Sequence, residues 1–339
     1  MSATTLNIGL IGAGRIGSLH AQHLALRIPQ ANLTILADIN LSAARHLAAR
    51  CRIATVVADH HAILQNPEIQ AVVICSATHT HAQIIAEAAA AGKHIFCEKP
   101  IDLSLANIDR ALAAVAQAGV KLQIGFNRRF DANYARVRRA IREGEIGEPH
   151  LLHLISRDPA PPPLDYVRAS GGIFLDMTIH DFDMARFLAG SEVVEVYTAA
   201  GVRVDPALGA AGDLDTALVV LKFKSGLIGT IDNSRKAVYG YDQRVEVLGS
   251  AGSIRTENNY PNSAVISDGR TIHRDKPLHF FLERYTESFV AEMTAFVDAV
   301  LNDQPTPVSG ADGRAPVVMA LAARKSYDEN RPVRLEEIG

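Results

Sequence analysis

Residues 6–17 read Leu-Asn-Ile-Gly-Leu-Ile-Gly-Ala-Gly-Arg-Ile-Gly: an apolar run that ends in Gly12-x-Gly14-x-x-Gly17 and opens into a segment of helical period over 16–27. Strand, glycine turn and helix in that order make one βα unit, and the pattern recurs. β-Branched runs at 6–11, 33–37, 71–75, 94–97 and 121–125 alternate with candidate helices at 41–50, 81–91 and 105–118. Parallel strands need crossovers of this length, so the spacing predicts an α/β fold, a Rossmann-type doubly wound parallel sheet.

After residue 126 the pattern changes. A polar, Arg-rich helix at 133–143 leads to a strand at 149–156, an ordered loop around Pro159–Pro163 and a helix at 172–188. Strands at 193–201, 214–223, 227–233, 244–249 and 252–256 follow in succession, joined by Gly-containing turns, which predicts an α+β domain with a mainly antiparallel sheet. Helices at 283–301 and 313–327 close the chain. The division expected is 1–126 and 127–339.

The totals restrict what such a chain can do. Its 339 residues, 48% hydrophobic and 21% charged, suffice for two cores. A net charge of -3 supplies no cationic excess for nucleic acid or an anionic membrane surface. No apolar stretch is long enough to cross a bilayer, and residues 1–5 do not open an export signal. Cys51, Cys75 and Cys97 stand singly in apolar surroundings, as small core residues of a reducing compartment. A cytoplasmic protein is the expectation.

The glycines allow a tight turn and a close backbone approach to a pyrophosphate, which then meets a helix N-terminus. Arg15 and Ile16 lie within this turn. Asp38, 21 positions after Gly17, ends the second run, where a carboxylate accepts from the adenine ribose hydroxyls. It would repel a 2′-phosphate and no arginine follows it, so NAD is expected over NADP. The alternative is a glycine turn beside a helix-capping aspartate.

Three further segments carry chemistry. In Ala77-Thr78-His79-Thr80-His81, Thr78 is read as a helix cap, with His79 and His81 as loop or cofactor neighbours and not a metal pair. Glu98-Lys99-Pro100 closes a strand at the carboxyl edge where α/β sheets bind ligands, placing a lysine that can donate to a substrate oxygen; a surface ion pair is the competing reading. Asp176 and His180, four apart on one predicted helix face, suit a general base and its orienting carboxylate. A solvated helix face, or a metal-dependent isomerase using Asp176, His180 and His153, are the alternatives.

Together, the fingerprint, Glu98-Lys99-Pro100, and Gly171-Gly172 leading into Asp176 and His180 resemble the glucose-fructose oxidoreductase and inositol dehydrogenase family. Residues 176–188, 232–235, 239–244 and 280–285 look like its inositol 2-dehydrogenase branch. The resemblance implies a Rossmann domain followed by an open-faced sheet domain, NAD as cofactor, no metal, and a cyclic polyol or sugar as substrate. It implies Lys99, Asp176 and His180 as the catalytic set, with Thr78, His79, His81 and Glu98 beside the cofactor. Asn127, Arg128 and His153 are expected to face the substrate, along with tyrosines at Tyr239 and Tyr241. Which of Arg128 and Arg129, and which of the tyrosines, points inward is left open. Oxidation of an inositol ring hydroxyl in polyol catabolism, by a homotetramer, is the implied activity; a hexopyranose dehydrogenase or a non-catalytic NAD-binding regulator are the rivals.

Overall fold

A computed structural model describes residues 5–339. In chain order, its first half comprises β1 (Leu6–Ile11), α1 (Arg15–Leu26), β2 (Ala31–Ala37), α2 (Leu41–Cys51), β3 (Thr55–Val57), α3 (His61–Leu64), β4 (Ala71–Ile74), α4 (Thr78–Ala90), β5 (His94–Glu98), α5 (Leu105–Ala118) and β6 (Leu122–Gly125). A 3-10 turn at Asn127–Phe130 leads to α6 (Ala132–Arg142), β7 (Pro149–Arg157), α7 (Leu164–Ala169), a π-helical turn at Phe174–Thr178, α8 (Ile179–Ala189), β8 (Val193–Gly201) and α9 (Pro206–Ala210). Then come β9 (Thr216–Phe223), β10 (Ile228–Ser234), β11 (Asp242–Gly249), β12 (Gly252–Arg255), the hairpin β13 (Val265–Ser267) and β14 (Ile272–Arg274), α10 (Phe281–Arg284), α11 (Thr286–Leu301), α12 (Gly310–Glu329) and β15 (Val333–Arg334).

The chain forms two compact units, Met1–Asn127 with Glu287–Ala315, and Arg128–Thr286 with Pro316–Gly339. The first carries a parallel sheet of order β3-β2-β1-β4-β5-β6, the doubly wound arrangement that the alternating runs predict. β3, three residues long, was not among the runs expected as strands. The chain leaves the first unit after Asn127 and later comes back to it. Residues 287–315 return to the first unit because α11 is apolar on the face that carries Met293, Phe296 and Val297, all fully buried with Leu6, Leu24 and Phe96. Each such side chain contributes about 1.5–3 kcal/mol by leaving water.

The second unit holds a seven-stranded sheet of order β12-β11-β7-β10-β9-β8-β15. It is mostly antiparallel, as expected, but β7 and β10 run parallel, since the connection between them carries α8 across one face. Strand side chains alternate between faces. Leu152, Leu154, Ser156, Ile231 and Asn233 are buried beneath α8, while the opposite parity leaves Leu151, Ile228 and Leu248, adjacent in register, 43–48% exposed. The sheet is therefore open-faced.

Candidate active site

In the first unit the fingerprint turn lies at the carboxyl edge of β1. Gly12 has φ +104°, and a Cβ there would meet the Cys75 carbonyl oxygen at 2.5 Å. A Cβ on Gly17 would meet the Gly12 carbonyl oxygen at 1.9 Å, whereas Gly14 faces open space with nothing within 4 Å. Gly12 and Gly17 thus close the turn on β4 and α1, and Gly14 leaves its outer side bare, as close approach of a pyrophosphate requires. Arg15 is exposed and Ile16 half-buried. Asp38 Oδ2 accepts from Ala13 N (2.6 Å) and Oδ1 from Asn40 N (2.7 Å). It ties the turn to the start of α2 and places its carboxylate beside the fingerprint; Asn40, not Asp38, caps that helix, accepting from Ala43 N. Ile39, which the sequence reading passed over, projects 94% exposed next to it.

Around β4 and β5 the structure revises two readings. Thr78 is the first residue of α4 and makes no cap; Ala77 holds that position, and Thr80 Oγ1 donates to its carbonyl (2.7 Å). His79 is exposed, but His81 is buried with Nδ1 2.8 Å from the Pro100 carbonyl oxygen and Nε2 3.0 Å from that of Ser76. It bridges the ends of β4 and β5 instead of presenting a free nitrogen. Glu98 turns inward, its Oε1 2.7 Å from His20 Nε2, and a Cβ on Gly125 would meet its carboxylate at 3.0 Å. His20 is itself set edge-on between Phe96 and Phe289. Lys99 follows this buried anchor and precedes a cis-Pro100 whose carbonyl His81 holds. Its backbone is fixed on both sides.

In the second unit a row of polar side chains crosses the sheet in register, Gln243 opposite Ser156 and Ser156 opposite Asn233. Gln243 Nε2 donates to Ser156 Oγ (2.9 Å), and Asn233 Nδ2 to Asp181 Oδ2 (2.9 Å) and to the Ser156 carbonyl (3.2 Å). Thr178 Oγ1 donates to Asn233 Oδ1 (2.6 Å) and Arg128 Nη1 to Asp181 Oδ1 (2.7 Å). Burial pushes the Asp181 carboxyl above its usual range, against the pull of Arg128. Removing one member of a buried ion pair costs about 3–5 kcal/mol, so this pair fixes the first turn of α8 to the 3-10 turn that carries Arg128. Arg129 does the same further along, its Nε and Nη2 both on Asp183 (2.9 and 2.6 Å).

That framework presents Asp176 and His180. Gly171 and Gly172 both have φ +83°, and Asp213 Oδ1 accepts from Ile173 N (2.9 Å) at the break. The helix expected from 172 instead opens as a π turn that contains Asp176, with His180 in the α-helix beyond. π Turns inserted in helices are frequent at functional sites, where the wider turn re-aims side chains. Asp176 Oδ1 accepts from the Tyr166 hydroxyl (2.7 Å) and Oδ2 from Arg235 Nη1 (2.8 Å). Tyr166 and Arg235 were not singled out by the sequence; Tyr166 follows the proline loop on α7, and Arg235 follows β10.

The other expected substrate residues differ in their surroundings. His153 has the parity of Leu151, so it points to the open face and hydrogen-bonds Thr230 Oγ1 (2.5 Å), away from α8. This removes it from the substrate set and from the metal set with Asp176 and His180. Arg128 is 5% exposed and given to Asp181 and Ser156. Tyr239 hydrogen-bonds Arg157 and Asp242. Tyr241 is buried against Phe280 and Tyr285, where burial pushes its hydroxyl pKa upward. Asn127 is buried at the start of the 3-10 turn. The side chains closest to a metal-ligand arrangement among the described residues are Asp59, His60 and His61 on the first unit, where His61 Nδ1 is hydrogen-bonded to Asp59 (2.7 Å) and His60 Nε2 to Glu87 (2.7 Å).

A glycine turn at a parallel-sheet edge and an open-faced sheet carrying an Asp–His helix define a two-unit dinucleotide-dependent oxidoreductase. Residues 6–126 match the oxidoreductase family with NAD-binding Rossmann fold, and residues 134–255 the GFO/IDH/MocA C-terminal domain. The chain belongs to the GFO/IDH/MocA family. It is 48% identical over 333 residues to myo-inositol 2-dehydrogenase of Thermotoga maritima, covering 98% of this chain and 99% of that one. It is 46% identical over 334 residues to inositol 2-dehydrogenase of Rhizobium meliloti, with 98% and 99% covered. The structure of scyllo-inositol dehydrogenase from Lactobacillus casei with bound NAD(H) and scyllo-inositol matches at 31% identity and a TM-score of 0.92, covering 98% of this chain and all of that one.

Proposed function

We propose that the chain is an NAD-dependent inositol 2-dehydrogenase that oxidises a ring hydroxyl of myo- or scyllo-inositol to the inosose, as a step of polyol catabolism. The observation that carries this reading is end-to-end similarity to relatives named for that activity, in a chain that carries Lys99, Asp176 and His180. The glycine turn and Asp38 fit a dinucleotide, which when bound would take up the hydride. Gly12, Gly14 and Gly17 with the start of α1 would hold its pyrophosphate and Asp38 its ribose.

The protein's own part is proton handling and positioning. His180 accepts the proton of the reacting hydroxyl, and Lys99 stabilises the alkoxide character that develops on that oxygen. Asp176 orients His180 and fixes the neighbouring hydroxyl, which matters because the ring carbons of a cyclic polyol are chemically alike and position selects the one that reacts. The test is NADH formation by the purified protein with a panel of inositol isomers and hexoses. Turnover with an inositol supports the reading; a hexose preferred over every inositol would replace it with the sugar dehydrogenase, and a blank panel with NAD bound would replace it with a regulator.

Cofactor choice follows from Asp38. Asp38→Ser is expected to lower the preference for NAD over NADP by on the order of tenfold, the equivalent of about 1.4 kcal/mol of lost charge repulsion. Native protein that reduces both cofactors equally well would remove Asp38 from this role.

We also infer a homotetramer, formed in part by pairing of open sheet faces through the stripe of Leu151, Ile228 and Leu248. Exposed apolar patches of this kind mark interaction surfaces. Light scattering should give a multiple of the 36.5 kDa protomer, and Leu151→Lys with Ile228→Lys should reduce it. An unchanged mass in the double variant would place the interface elsewhere.

A further inference from the structure

We propose that Arg235 is a positioning residue for the reaction: it holds Asp176 ionised and oriented, with Asp158 and Asp213 as opposing carboxylates that set how firmly. This rests on the role given to Asp176 above. Arg235 stands one residue beyond β10, and its side chain is 2% exposed. Of its nitrogens only Nη1 reaches an acceptor at hydrogen-bond distance, Asp176 Oδ2 at 2.8 Å; Nε and Nη2 have none among the described residues. Asp158 Oδ2 lies 3.8 Å from Nη1 and Asp213 Oδ2 3.7 Å from Nη2, within electrostatic reach but beyond a good hydrogen bond. An arginine offers five N–H donors in a rigid fork, so a buried one that spends its directed bond on a single carboxylate is placed for that carboxylate.

One buried cation thus faces three carboxylates from separate segments: Asp176 on the π turn, Asp158 just beyond β7, and Asp213 ahead of β9. Like charges this close do not all ionise easily. The burden falls on Asp158, which burial pushes up to about 7, with Asp176 adding to the rise and Arg235 opposing it. Asp213 has a different task, accepting from Ile173 N at the glycine break. Asp176 is the one member bonded on both oxygens, by Arg235 and by the Tyr166 hydroxyl, and His180 follows it on the same segment. Arg128 and Asp181 act on Asp158 from the α8 side. Arg235 therefore fixes both the direction and the charge of the carboxylate on which His180 depends.

The signs are opposite for two substitutions. Arg235→Gln leaves three carboxylates without their cation, which favours the imidazolium of His180, so His180 gives up its proton at higher pH. Turnover should fall at least tenfold with the KM for NAD little changed, and the acid limb of the turnover profile should move up by about one pH unit. Arg235→Lys keeps the charge and should restore much of the limb while turnover stays reduced, since the fork is gone. Asp158→Asn, an isosteric change that removes the like charge, should move the limb down. Native protein active on inositol, together with folded variants whose limbs stay where the native limb lies, would overturn the proposal. A limb that moves the same way in Arg235→Gln and Asp158→Asn would overturn it too. Native protein inactive on every inositol would instead defeat the functional reading on which it rests.

Discussion

Lys99→Ala is expected to lower turnover on inositol by on the order of a hundredfold or more, the usual loss when one stabiliser of a developing oxyanion is removed. The expectation is specific because the backbone on either side of Lys99 is held without its side chain. Glu98 is anchored on His20 and packed over Gly125, and the Pro100 carbonyl is held by His81. Truncation should therefore leave the edge of β5 in place and NAD affinity within a few-fold of native. Loss in turnover and in catalytic efficiency by similar factors would mark an interaction made mainly in the transition state. Lys99→Arg should not restore the rate, because a planar fork does not replace a compact ammonium. Near-native turnover of Lys99→Ala at saturating polyol would take Lys99 out of the chemistry.

His180→Ala should have an effect of similar or larger size, about a hundredfold to ten-thousandfold, the range for a positioned general base. It should also change the shape of the pH profile. Only the neutral imidazole can accept the hydroxyl proton, so native oxidation rises with pH through the ionisation of His180 in the working complex. Ketone reduction needs the imidazolium and should fall over the same interval. His180→Ala should flatten the ascending limb, whereas Asp176→Asn should lose rate through misorientation and keep most of the shape. An ascending limb that survives in His180→Ala would mean that another group takes the proton, with Lys99 in its neutral form the first candidate.

What the sequence disclosed and what it withheld divide along physical lines. The first sheet was legible because each strand is an apolar run closed by a turn signal, and the glycine fingerprint sets the phase; only β3, short and half-exposed, escaped. The second sheet was legible strand by strand, but not its one parallel pair, because alternation reports faces and not neighbours. The return of 287–315 to the first unit was hidden for the same reason: α11 shows an apolar face and nothing that says which core it fills. Of the residues proposed for catalysis, Lys99, Asp176 and His180 stood out by residue type and spacing. His153 was misplaced although its parity with the exposed Leu151 was open to view, and only the packing of α8 told which parity is inside. Arg128 has the residue type of a polyol ligand, but its pairing with Asp181, 53 residues away, is a tertiary fact. Arg235 lay within a segment already noticed, and nothing in the sequence distinguishes an arginine that serves a carboxylate 59 residues earlier from one on the surface.

The most direct test of the central claim is hydride transfer from a labelled ring. The purified protein would be given NAD and ring-deuterated myo- or scyllo-inositol, and the NADH formed would be analysed by mass and by proton resonance at the nicotinamide. The expected result is one deuterium per NADH, on a single face of the ring, with an inosose formed in equal amount. NADH without deuterium, or no NADH from either isomer under conditions where NAD binds, would contradict the assignment of inositol oxidation to this chain.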